Sequence, residues 1–103
     1  MIVVSVMYPA TADARFDMKY YLDKHVPMVG ERWNPMGLRE AKILQGVGAP
    51  GGGAATYSVM ALLTFDSAAA LEQAMARHGQ EIVGDIANFT NVQPVIQVND
   101  VLV

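Results

Sequence analysis

With 103 residues, 52% of them apolar, 17% charged and a net charge of −3, the chain has room for one small domain, 1–103, and none for a separate dinucleotide module. Seven basic against ten acidic residues leave no basic stripe for a nucleic-acid partner, and the lack of cysteine removes disulfides and thiolate metal sites. A membrane span needs about 20 consecutive apolar residues; charged residues, Pro or Gly interrupt every long apolar stretch here, so a cytoplasmic protein without a membrane partner is expected.

Met1 to Tyr8 is rich in β-branched residues and closed by Pro9, which predicts a strand buried on both faces rather than a signal peptide. Asp17 stands at an N-cap position before Met18, Tyr21, Leu22 and His25 at helical spacing. Pro27 disfavours a helical Val26, so this amphipathic helix is expected to break or kink near His25 and resume through Met28, Val29 and Trp33. Leu38 to Val47 alternates weakly, as an edge strand does, and a glycine-rich connection leads to the apolar strand Tyr57 to Phe65. Asp66-Ser67 caps a second helix from Ala68 to Arg77; Gly79 is expected to interrupt it before a bent continuation to about Asn88. Val92 to Val103 reads as a last strand, with Pro94 confining its start to an edge or a bulge.

Strand, helix, strand, strand, helix, strand is the order of a ferredoxin-like α+β domain, βαββαβ with a four-stranded antiparallel sheet. Two helices cover one sheet face only, yet the first and third strands look apolar on both. A domain of this size buries somewhat over ~60% of the surface of its unfolded chain, so the apolar surplus calls for an apolar ligand cavity and a homodimer interface.

Gly46-Val47-Gly48-Ala49-Pro50-Gly51 matches the letters of the dinucleotide fingerprint, but these glycines lead into a strand instead of opening a helix, so no cofactor is expected there. His25, at a helix end one turn after Tyr21, suits general acid–base work on a phenolic or enolic substrate; a packed helix-end histidine is an equal reading. His78 precedes Gly79, where a histidine on the helix dipole is the simpler reading. Two histidines with Asp23 or Asp85 give no convincing ligand spacing, so no metal is expected. Trp33 and Phe89 follow irregular segments and are candidates for an aromatic pocket rim, and the plentiful Met suits a soft core or an adaptable pocket.

The strand ending Tyr8-Pro9, the Tyr20-Tyr21 doublet followed by His25-Val26-Pro27, and the tail Asp85-Ile86-Ala87-Asn88-Phe89-Thr90-Asn91 running to Pro94 resemble the EthD family of dimeric α/β-barrel proteins along essentially the whole chain. The family is named after a small protein required in bacterial ethyl tert-butyl ether degradation. The resemblance implies a homodimeric barrel of catabolism related to cofactor-independent monooxygenases, isomerases, cyclases, dehydratases and decarboxylases. It raises interest in His78, because related cyclases carry a catalytic histidine after their second helix. The expected catalytic set is His25 with Tyr21, Asp85 as orienting carboxylate, and His78; Tyr8, Trp33, Phe89 and Thr90 are expected to bind a small hydrophobic ligand. Two further readings are a non-catalytic accessory protein and a monooxygenase-type barrel with His25 or His78 on haem.

Overall fold

The β-branched run Ile2–Pro9 forms strand β1 of the computed structural model, which describes residues 1–103. Strands β2 (Leu38–Gln45), β3 (Tyr57–Phe65) and β4 (Val95–Asp100) complete one antiparallel sheet in the order β2-β3-β1-β4. This is the expected ferredoxin-like arrangement, with β2 and the Pro94-led β4 at the two edges. Gly46, just after β2, has to be glycine because a β-carbon there would run into the Tyr57 carbonyl. The remaining glycines of the connection lie exposed on the hairpin, away from any helix N-terminus.

Between β1 and β2 the chain is helical from Met18 to Trp33. A first turn (α1, Met18–Tyr20) is capped by Asp17, whose carboxylate accepts from the Tyr20 amide at 3.0 Å. A π-helical turn follows over Tyr21–His25, and helix α2 spans Val26–Trp33. The expected break near His25 does not occur. Proline lacks an N–H and its ring crowds the carbonyl four residues back; the wider turn, in which the Val26 amide bonds to the Tyr21 carbonyl, relieves that crowding and lets the helix continue through Pro27. A 3-10 turn, Asn34–Met36, then closes on Gly37, whose φ of 106° demands glycine.

Helix α3 (Ala68–Gly84) is capped by Ser67, which accepts from the Ala70 amide at 3.1 Å. Gly79 does not interrupt it. Its bare backbone is buried under the Met75 thioether, whose methyl lies 3.1 Å from where a β-carbon would stand, so packing outweighs the helix-breaking tendency. A 3-10 turn, Ile86–Asn88, carries the chain off α3 toward β4.

Alternate residues of the sheet, Val4 and Tyr8 on β1 and Val59, Ala61, Leu63 and Phe65 on β3, are buried beneath the helices. The opposite face is mixed. Val3, Met7, Leu44, Met60, Leu62 and Val95 share it with Ser5, Thr64 and, across the edge pairs, Glu40, Lys42, Gln97 and Asn99. Asn99 Nδ2 donates to Ser5 Oγ at 2.8 Å and to the Val3 carbonyl at 2.9 Å, which makes part of this face a polar network. No helix is long and apolar enough to cross a membrane.

Candidate functional site

The apolar surplus gathers between the sheet and the helices. A cavity of about 80 Å3 lies there, and 18 of its 19 lining residues are hydrophobic, drawn from all four strands, the π turn and both long helices. Tyr8, Tyr21 and His25 mark one end of this lining.

The π turn sets Tyr21 and His25 one above the other on its inner side, rings 5.6 Å apart and only 17° from parallel. Phe89 packs against both rings, 4.6 Å from the imidazole and 4.9 Å from Tyr21. Packed against these rings, His25 is 5% exposed. Its Nδ1 lies 2.9 Å from Oδ2 of Asp85, the residue that ends α3 sixty positions later. Asp85 Oδ1 accepts two further hydrogen bonds, from the Tyr20 hydroxyl at 2.7 Å and from Asn88 Nδ2 at 2.8 Å.

Burial pushes the Asp85 carboxyl upward, but the donors Asn88, His25 and Tyr20 together outweigh it and hold the group below the ordinary carboxylate range. An ionised carboxylate only accepts, so His25 Nδ1 carries a proton, and in the neutral imidazole the lone pair is on Nε2. Nε2 has no protein partner, and no buried side-chain polar atom in the molecule is unpartnered, so a water-sized molecule reaches it. Tyr8 and Tyr21 line the same cavity, and their hydroxyls likewise have no protein partner. Burial pushes the Tyr21 phenol up to about 12, and burial with the neighbouring Tyr21 raises Tyr8. Both phenols stay protonated at neutral pH and act as donors.

Of the residues singled out in the sequence, His25, Tyr21, Asp85 and Tyr8 come together. His78 does not. It is a quarter exposed, 3.8 Å from Glu81, and is not on the cavity wall. Trp33 lines the cavity as a core residue and not as a rim, 4% exposed, with its indole N–H donating to the Ala74 carbonyl at 2.9 Å. Phe89 packs against Tyr21 and the imidazole, outside the cavity lining. Thr90 spends its hydroxyl on backbone, donating to the Arg15 carbonyl at 2.7 Å and accepting from the Val92 amide, beside an isolated bridge between Phe16 and Thr90. It ties the segment before α1 to the segment before β4. Tyr20 and Asn88 are additions; both stand in the tyrosine doublet and the Asp85–Asn91 tail, the stretches that carry the family resemblance. No three His, Cys, Asp or Glu side chains gather as a metal site.

No protein-family model matches the chain, and no curated protein sequence matches it. Solved structures do. An EthD-like protein from Ralstonia eutropha is 41% identical, with 99% of this chain and 92% of that one covered and a TM-score of 0.90. An ethyl tert-butyl ether degradation (EthD) family protein from Bacillus halodurans matches over 99% of both chains with a TM-score of 0.69 at 19% identity, and HapK from Hahella chejuensis covers 99% of this chain and 93% of its own with a TM-score of 0.63 at 10% identity. The last two share the fold. With two-fifths of its residues shared along nearly the full length of both proteins, the chain belongs to the EthD-like family.

Proposed function

We propose that this protein is a small homodimeric catabolic enzyme that moves protons on a hydrophobic or aromatic intermediate without a redox cofactor, with His25 as its base. The observation that carries the reading is the Asp85–His25 pair on the wall of an apolar cavity that two protonated phenols, Tyr8 and Tyr21, also line. In an enolisation, the Nε2 lone pair takes a proton from the carbon next to a carbonyl, and the C–H electron pair moves onto the carbonyl oxygen. The resulting enolate oxygen accepts from Tyr8 or Tyr21, and the imidazolium, steadied by Asp85, returns the proton at another atom. Isomerisation, cyclisation, dehydration and decarboxylation share that first charge development. A cavity of about 80 Å3 is smaller than the ~150 Å3 apolar cavity that admits benzene, so a ring-sized ligand requires the wall to move. Met75, Val83 and Ile96, each part of the lining and 41%, 47% and 51% exposed, form its solvent-facing part.

The homodimer is supported by Ile96 and Val98 on edge strand β4 and by the apolar residues 101–103, all well exposed in the single chain. A solution mass near one subunit contradicts it. For the chemistry, the test is deuterium uptake from D2O at the enolisable carbon of a small aryl ketone such as acetophenone. The wild type accelerates uptake and His25→Ala loses the acceleration; equal uptake by both proteins removes His25 from the mechanism. The overwhelmingly hydrophobic lining also favours a second reading, a non-catalytic carrier of apolar intermediates. Quenching of Trp33, the one tryptophan and a cavity residue, by the ketone without deuterium uptake is the result that favours it.

A further inference from the structure

The Asp85 carboxylate is shared unevenly. Oδ2 serves His25 alone, while Oδ1 takes both the Tyr20 hydroxyl and the Asn88 amide. These two donors reach it from different parts of the fold: Tyr20 from the last residue of α1, Asn88 from the 3-10 turn that follows α3. Neither touches the imidazole through a hydrogen bond, and neither lines the cavity. A carboxylate at the end of a helix can turn about its own side-chain bonds, and one donor fixes a single oxygen while leaving that rotation open. Two donors on the same oxygen from separate directions fix the plane of the group.

We infer that Tyr20 and Asn88 are positioning residues: by clamping Oδ1 they aim Oδ2 at His25 Nδ1, which locks the imidazole in the tautomer with its lone pair on Nε2, toward the cavity. The catalytic value of that lock rests on the role proposed for His25, but the lock itself is a property of the resting protein. A histidine whose Nδ1 partner wanders exchanges between tautomers, and in the wrong one Nε2 bears a proton and cannot accept another. The other titratable groups facing the pair are Tyr21 against the ring, Tyr8 across the cavity lining, and Glu81 one turn back on α3, whose charge acts on Asp85. Glu81 is paired with Arg32 at 3.0 Å, and neither Tyr8 nor Tyr21 bonds Asp85, so the clamp falls to Tyr20 and Asn88.

The experiment is imidazole 15N NMR of the full chain with labelled histidine, in the wild type, Tyr20→Phe, and the double variant Tyr20→Phe/Asn88→Ala. With only two histidines, His78, away from the cavity wall, is an internal control. In its neutral imidazole the wild type shows a single His25 tautomer, with the proton on Nδ1. Tyr20→Phe, which keeps the ring stacked 6.4 Å from Phe89, mixes the tautomers partly, and the double variant mixes them fully, while His78 keeps its signals and its titration. Turnover in the deuterium assay falls about 10- to 100-fold in the double variant with KM little changed, as when a carboxylate that orients a metal-bound histidine is removed. Asp85→Asn inverts the tautomer, because its amide donates to Nδ1. If the double variant folds and retains the single wild-type tautomer, the proposal is overturned. If that variant does not fold, Tyr20→Phe alone decides: an unmixed tautomer overturns the proposal and a mixed one upholds it. Loss of the lock with unchanged deuterium uptake upholds the clamp and refutes the role of His25 as base.

Discussion

The two ends of the space between sheet and helices are packed by different rules. Toward Phe65, ten mostly aliphatic residues that include Val4, Leu38, Leu63, Leu71 and Ile82 close on one another, and the one polar group among them, the Trp33 indole N–H, is satisfied by a helix carbonyl. Toward Tyr8, four buried residues, Tyr8, Tyr21, Val59 and Phe89, pack edge to face or tilted, with ring centroids 4.9 to 6.1 Å apart, and a histidine is set among them. Flat rings with fixed planes hold an imidazole in one orientation and leave phenol hydroxyls at the cavity wall, which branched aliphatic side chains cannot do. The aliphatic end supplies burial. The aromatic end gives up some packing freedom to hold polar atoms ready.

Substitutions at the two ends separate these roles. Phe65→Ala, at the wholly buried aliphatic end, is expected to cost about 3–5 kcal/mol in urea unfolding, a large share of the stability of a small domain, with the His25 signals of the folded fraction unchanged. At the other end, His25→Ala is expected to lower proton-exchange turnover by about 10²–10⁴-fold, with a smaller loss of stability than Phe65→Ala. Tyr8→Phe and Tyr21→Phe each remove one unpartnered hydroxyl, so they should leave the melting temperature nearly unchanged and lower turnover less than His25→Ala; a large stability loss would show that the hydroxyls are structural. Asp17→Ala, outside both ends, removes the cap of α1 and is expected to cost about 1 kcal/mol.

The pH dependence follows from Asp85. Its carboxyl titrates lower in the folded protein than in the unfolded chain, so the folded state binds fewer protons there and the stabilisation is fully present above the unfolded value of about 3.9. It disappears as pH falls through the depressed folded value. In urea titrations between pH 5 and pH 2 the wild type should lose more stability than Asp85→Asn; parallel losses would show that Asp85 is not the linked group.

Much of this architecture was legible along the chain because it rests on local rules. Strand Tyr57–Phe65 matched residue for residue, and Asp17 and Ser67 cap as their types predict. What was not legible depended on contacts between distant segments. Pro27 signals a break in any local reading, and only the packing of Tyr21 and His25 on the sheet makes the π turn worthwhile. Gly79 reads as a helix breaker until Met75 is seen lying over it. Tyr20 and Asp85 stand 65 positions apart, so no spacing rule joins them, and His78 and His25 are equally plausible letters until the fold puts one on the cavity wall against Asp85 and the other beside Glu81. The same holds for Thr90, whose hydroxyl is committed to a backbone carbonyl 75 positions away.

The central claim is that the aromatic end of the cavity, with the free nitrogen of His25, is where ligand meets chemistry. Phenol, an apolar ring with one hydroxyl, titrated into uniformly 15N-labelled protein tests it most directly. The account predicts saturable shifts of the His25 imidazole and the Trp33 indole N–H with one shared dissociation constant, and none at His78. Saturable shifts confined to the open sheet face around Ser5 and Asn99, with His25 and Trp33 unmoved, would contradict it.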